Sequence, residues 1–334
     1  MTTADVGARG AGSAATRRRV GAAAFWVLVV VLLVLYGAHG ALGGSGTKNP
    51  FNEWLSDVLL WILTGACLAG ALRAERSRTP WLLITAALAS WAVGDTIWSV
   101  RFAGSSQAPV TSLSDIFWLA WYPLVIVALV LLVRDRVPRF ELHRWIDGVA
   151  VMLIVATPWV ALFLQPVADH SGASALGEGV DFAYPLGDAI VVGAALGAFA
   201  LMRWRPGRMW LALTLGLTII GVADAAYSVQ VLEHTYRGGV FDAAWVGGAA
   251  LVAYAAWCPR PERLPHHEPA GWSAIALPLA AQALAVSIQI YGLFAYLATS
   301  ERVLTIVVLL IAMVQLVVTR PRLAPPPGAD PDMV

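Results

Sequence analysis

Lysine is almost missing from this 334-residue chain: Lys48 is the only one, and it stands in a connector between apolar stretches. A retinal protein needs a lysine inside a helix for its Schiff base, so that chemistry is excluded. Cysteine is nearly as scarce. Cys67 and Cys258 form neither a disulfide framework nor a metal-binding pair, and they read as small packing residues. Charged residues make up 13% of the chain, too few to clothe a soluble surface. No G-x-x-x-x-G-K-[ST], H-E-x-x-H or G-x-S-x-G pattern occurs, and Gly177-Glu178-Gly179 reads as a flexible connector. A net charge of +1 offers no electrostatic footprint for nucleic acid.

What the chain has instead is apolar sequence, with 59% hydrophobic residues and a mean hydropathy of +0.71. Apolar runs of about 17–25 residues, each long enough for a hydrocarbon core of about 30 Å, recur along its whole length. They fall at about 20–42, 54–72, 80–100, 115–133, 145–165, 183–202, 209–229, 242–258, 272–296 and 303–318. The pattern predicts an all-α polytopic membrane protein of about ten transmembrane helices, with the lipid bilayer as its first partner.

The basic residues sort by connector. Eighteen of the 22 precede span 1 or follow spans 2, 4, 6, 8 and 10, leaving Lys48, Arg101, Arg237 and Arg302 on the other side. The positive-inside rule then places both termini in the cytoplasm of a plasma (inner) membrane protein. Residues 1–19 and the Pro-rich 319–334 become cytoplasmic tails. Three arginines ahead of span 1 and Ala38-His39-Gly40 after it resemble a signal peptide, but the apolar run is long, so a retained anchor is expected.

The chain also repeats itself. From Trp81 and from Trp210, eight of twenty ungapped positions are identical, including Trp81/Trp210, Asp95/Asp224 and Ser99/Ser228. His39 and His170 each stand eighteen residues before an aspartate, Asp57 and Asp188. Further on, Asp115 with Trp118 corresponds to Asp242 with Trp245. The unit is therefore four helices used twice, residues 20–144 and 145–271, with spans 9–10 at 272–318 appended. Four is even, so both copies share one orientation, a parallel repeat. Runs such as Gly193-Ala194-Ala195-Leu196-Gly197 and Gly247-Gly248-Ala249-Ala250 suit close helix packing in lipid.

On this topology the acids gather near the outer face. Asp57, Asp115, Asp188 and Asp242 fall in or beside the first turn of inward-running helices, where an acid caps free N–H groups; Ser56, Ser112 and Ser114 suit the same role. Asp95 and Asp224 resist that explanation, because they lie near the outer ends of outward-running helices where the dipole disfavours anions. Such a group should face the bundle and find donors. Ser99 and Ser228, four residues on, share its helix face, as do Trp98 and Tyr227 at three. The candidate ligand- or ion-binding set is thus Asp95, Asp224, Ser99, Ser228, Asp115, Asp242, Trp98, Tyr227, Trp118 and Trp245. The competing explanation for the acid pair is interhelical hydrogen bonding alone. Weak metal candidates are His39, Asp57, His170 and Asp188, which show no paired-ligand spacing. Trp91, Trp98, Trp118, Trp121 and Tyr122 suit an interfacial belt, although Trp118-x-x-Trp121-Tyr122-Pro123 beside Asp95 also suits the wall of an outward pocket.

The stretch Ser114-Asp115-Ile116-Phe117-Trp118-Leu119-Ala120-Trp121-Tyr122-Pro123-Leu124 leads to Arg134-Asp135-Arg136. With Tyr184-Pro185-Leu186-Gly187-Asp188 and the Asp224 segment, it resembles the multispanning N-terminal sensory region of many actinobacterial diguanylate cyclases and phosphodiesterases. The resemblance covers roughly spans 2–8 and implies a sensor-like membrane module. No GGDEF or EAL sequence is present, so no catalytic residue carries over. The leading expectation is a non-enzymatic sensor-like protein with an outward polar and aromatic site and no cofactor. It would signal through a cytoplasmic partner or as a homodimer. A small-solute or ion transporter or channel is the alternative, and a membrane-embedded enzyme the third reading.

Overall fold

The computed structural model describes residues 3–42, 50–74, 77–102, 111–137, 148–149, 151–152, 175–202, 206–232, 236 and 240–259, with isolated positions between 283 and 313. These residues form seven helices and no strand: α1 (Thr3–Leu42), α2 (Pro50–Arg73), α3 (Arg78–Phe102), α4 (Leu113–Arg136), α5 (Ala175–Leu201), α6 (Gly207–Leu232) and α7 (Val240–Ala255). Nearly all of expected spans 5, 9 and 10, and His170, lie outside the described residues.

Among the described residues, five segments are long and apolar enough to cross a bilayer: Val20–His39, Trp54–Arg73, Arg78–Phe102, Leu113–Arg136 and Gly207–Val231. In α5 the apolar stretch is the shorter Ala183–Phe199. Helix α7 has 16 residues, fewer than the roughly 20 that a perpendicular crossing requires. Large apolar side chains such as Val27, Leu28, Val31, Val34, Val58, Leu82, Ile116, Val127, Leu211, Leu215 and Val222 point outward. That much exposed apolar surface suits lipid rather than water.

The helices pack as antiparallel neighbours, α3 on α4 and α6 on α7, and the remaining contacts come in similar pairs. Helix α2 lies on α3 as α5 lies on α6, and α4 meets α5 as α7 meets α2. Six helices therefore close a ring, with α1 lying outside it against α7 and α2. Close approach depends on small residues. A methyl at Gly216 would lie 2.6 Å from the Gly248 carbonyl oxygen, so α6 and α7 touch backbone to backbone, as packing in lipid favours.

One end of the ring is dry. Trp81 and Trp210, equivalent in the two sequence copies, are both fully buried, among Leu63, Cys67, Leu88, Leu129, Ala198, Leu213, Leu217, Val252 and Ala256. Two hydroxyls in this half turn back on their own helix: Thr64 donates to the Leu60 carbonyl and Thr85 to the Trp81 carbonyl, both at 2.8 Å, whereas the Thr214 hydroxyl is buried with no hydrogen-bond partner. At its rim the Trp257 indole donates to the Ala66 carbonyl at 2.8 Å, and the Arg73 guanidinium lies 4.0 Å from the centre of the Trp257 ring. The chain just after α7 is thereby fastened to α2.

Two capping expectations are corrected. Helix α2 begins at Pro50 and α5 at Ala175, so Asp57 and Asp188 lie well inside their helices, not at exposed first turns. An interior acid meets amides already bonded within the helix and cannot cap. Ser114 also does not cap; it is buried in the first turn of α4, with no hydrogen-bond partner for its hydroxyl. The cap is Ser112, which accepts from the Ser114 amide at 3.1 Å, while Asp115 accepts from the Ser112 amide at 2.6 Å. This is a reciprocal capping box.

Candidate functional site

At the other end of the ring, carboxylates from several helices meet indoles and phenols. The Trp118 indole donates to Asp95 Oδ1 at 2.7 Å, joining α4 to α3. The Trp245 indole donates to Asp224 Oδ1 at 2.8 Å, joining α7 to α6. An acid inside an apolar helix requires such a donor, because an unpaired carboxylate there is costly.

The aromatic residue three positions after each acid buttresses the donor. Trp98 packs on Trp118 with ring centres 5.6 Å apart, and Tyr227 packs on Trp245 at the same separation. Gly94 makes room in the first copy: a methyl there would lie 2.6 Å from the Trp118 Nε1.

The serines act differently from one another. Ser228 donates to the Asp224 backbone carbonyl at 2.9 Å and leaves the carboxylate to Trp245. Ser99 instead reaches across to hydrogen-bond Asp57 on α2. Sequence spacing correctly placed both on the acid's helix face; it did not show which neighbour each would choose.

The seam between α4 and α5 carries a reciprocal exchange. Tyr122 of α4 donates to Asp188 of α5 at 3.0 Å, and Tyr184 of α5 donates to Asp115 of α4 at 2.6 Å. The two rings meet edge to face, 6.4 Å between centres. Each tyrosine precedes a proline within its helix, Pro123 or Pro185. Gly187 admits the Tyr122 ring, since a methyl there would lie 2.5 Å from it. Asp115 therefore serves twice, in the cap and in the seam.

Asp242 in the first turn of α7 receives the Tyr236 hydroxyl at 2.9 Å. Tyr236 stands in the connector, where burial pushes its phenol well above the ordinary value and keeps it a donor. Its ring also packs on Tyr227, 4.8 Å between centres.

Four acids share one electrostatic neighbourhood. Asp95 lies in the fields of Asp57 and Asp224, and Asp188 and Asp224 stand close enough to act on each other. Asp57 and Asp188 are deeply buried, each 4% exposed, whereas Asp95 and Asp224 are only half-buried.

All ten residues of the candidate binding set thus fall at this polar end, with Trp98, Ser228 and Tyr227 as supports. Sequence reasoning did not assign functions to Tyr36, Tyr184 or Tyr236, and it gave Ser56 a capping role that its place inside α2 does not allow. A phenol near intramembrane acids is the signal for them, because it brings a donor without adding charge. Of the weak metal candidates, His170 lies outside the described residues and His39 is exposed in the last turn of α1; among the described residues no three of His, Cys, Asp and Glu gather as ligands. No family model, curated protein or solved structure matches this chain.

Proposed function

We propose that this is a sensor-like polytopic membrane protein whose polar and aromatic end faces outward and binds a ligand. Its response would pass to a cytoplasmic partner or to a second copy. The observation that carries this reading is the division of the ring into a hydrogen-bonded acid–aromatic end and a dry apolar end. The arginines at the ends of α2 and α4 and at the start of α6 accompany the apolar end, which favours that end as cytoplasmic. We read the matched helix contacts and the matched Trp118–Asp95 and Trp245–Asp224 bonds as support for a parallel duplication, and for the ten-span topology that accompanies it. The sequence resemblance to membrane sensory regions points the same way.

A transporter or channel would need polar groups to continue through the apolar end. Cys67 and Cys258 report on that half, as both are buried and neither forms a disulfide. In full-length protein reconstituted into liposomes, a membrane-impermeant, positively charged methanethiosulfonate should leave both thiols unmodified from either side. Modification of Cys67 from the aqueous phase would instead indicate a water-filled path and favour transport.

A further inference from the structure

The two seams that close the ring are not equivalent, and their difference isolates one carboxylate oxygen. Between α4 and α5, Gly187 admits Tyr122, whose hydroxyl satisfies Asp188. In the matching seam between α7 and α2, the aligned residues are Ala249 for Tyr122, Ser56 for Gly187 and Asp57 for Asp188. Ala249 is fully buried and has no donor to offer. Tyr36 of α1 approaches, but its hydroxyl hydrogen-bonds Ser56. Asp57 is bonded by Ser99, yet its Oδ2 is buried without any hydrogen-bond partner, inside the field it shares with Asp95.

Protonation of Asp57 would remove its charge but would not supply the missing hydrogen-bond partner. An O–H at Oδ2 would itself lack an acceptor, exchanging one unsatisfied group for another. A positive charge would satisfy the oxygen and also relieve the repulsion from Asp95. The surrounding oxygens, from two carboxylates and from the Ser56, Ser99 and Tyr36 hydroxyls, suit a hard cation. Asp242 acts on Tyr36 as well, but among the described residues no third ligand-type acid gathers with Asp57 and Asp95, so a single charge matches better than a double one, and the buried Ala249 favours a small ion.

We propose that the corner between α2 and α3 at Asp57 binds a small monovalent cation of the Na+ type, with Asp95, Ser56, Ser99 and Tyr36 as its oxygen surroundings. This inference rests on the reading of the polar end as a ligand site and names one occupant of it. In the first copy the cation takes the role that the Tyr122 hydroxyl takes in the second.

The test measures radiolabelled sodium bound to the full-length protein in lipid nanodiscs, with N-methylglucamine holding ionic strength constant. Binding should be saturable, be displaced by excess unlabelled Na+, and weaken by more than about tenfold in Asp57→Asn. Ser99→Ala, which keeps the carboxylate but removes its support, should weaken binding by about tenfold. It decides the matter if Asp57→Asn does not fold. Absence of saturable binding to the unaltered protein overturns the inference, as does unchanged binding in the folded variant. Failure here with Cys67 still protected from the thiol reagent would remove the cation and leave the ligand-site reading standing.

Discussion

Trp118 and Asp95 are the clearest place to measure what a single polar contact contributes. The indole N–H of Trp118 depends on Asp95, a carboxylate that Trp91 also approaches, and Trp245 depends in the same way on Asp224. Replacing Asp95 by Ala leaves the indole unsatisfied, whereas Asn retains an acceptor oxygen. In detergent unfolding measurements Asp95→Asn should therefore lose less stability than Asp95→Ala. A double-mutant cycle with Trp118→Phe should give a coupling of about 0.6–1.7 kcal/mol, the range for interhelical hydrogen bonds in membranes. Zero coupling would mean that Asp95 finds another donor. Gly94 tests the same contact by crowding: Gly94→Ala drives a methyl into the Trp118 ring and should cost about 1–3 kcal/mol, read as a lowered unfolding midpoint.

At the scale of the helices, α4 is the element on which the polar end depends. Its start is held by the Ser112–Asp115 box, its second turn supplies Trp118, and Tyr122 reaches over to α5. Ser112→Ala should lower stability by about 1 kcal/mol, through loss of the cap. Tyr184→Phe should lower it by about 0.5–1.5 kcal/mol, because Asp115 would lose its cross-seam donor. These two changes meet at one carboxylate, so their combined effect should differ from their sum; strict additivity in chemical unfolding would show that the cap and the seam are independent. This double role was not legible in advance. An acid three residues after a serine marks a capping box from local sequence, but the Tyr184 partner lies 69 residues away. Asp57 and Asp188 misled for a related reason: the apolar runs begin later than the helices do, so interior acids looked terminal.

For the molecule as a whole, most of what could be read from sequence came from repetition and hydropathy. The all-helical architecture of the described residues followed from apolar run length, and the Asp–Trp hydrogen bonds join residue types that recur in the two aligned stretches of sequence. The α4–α5 exchange and the unsatisfied Asp57 oxygen were hidden because they arise where the aligned stretches of sequence differ, at Tyr122 against Ala249 and Gly187 against Ser56. Periodicity reports shared positions and is silent on such departures. The central claim is that the acid–aromatic end opens to the outer side while the arginine-bearing end faces the cytoplasm. Tyr227 lies at that end and is 39% exposed. The most direct measurement introduces Tyr227→Cys into a Cys67→Ala, Cys258→Ala background and treats intact cells and inverted vesicles with an impermeant maleimide. The account predicts labelling in intact cells and little in inverted vesicles; labelling confined to inverted vesicles would contradict it.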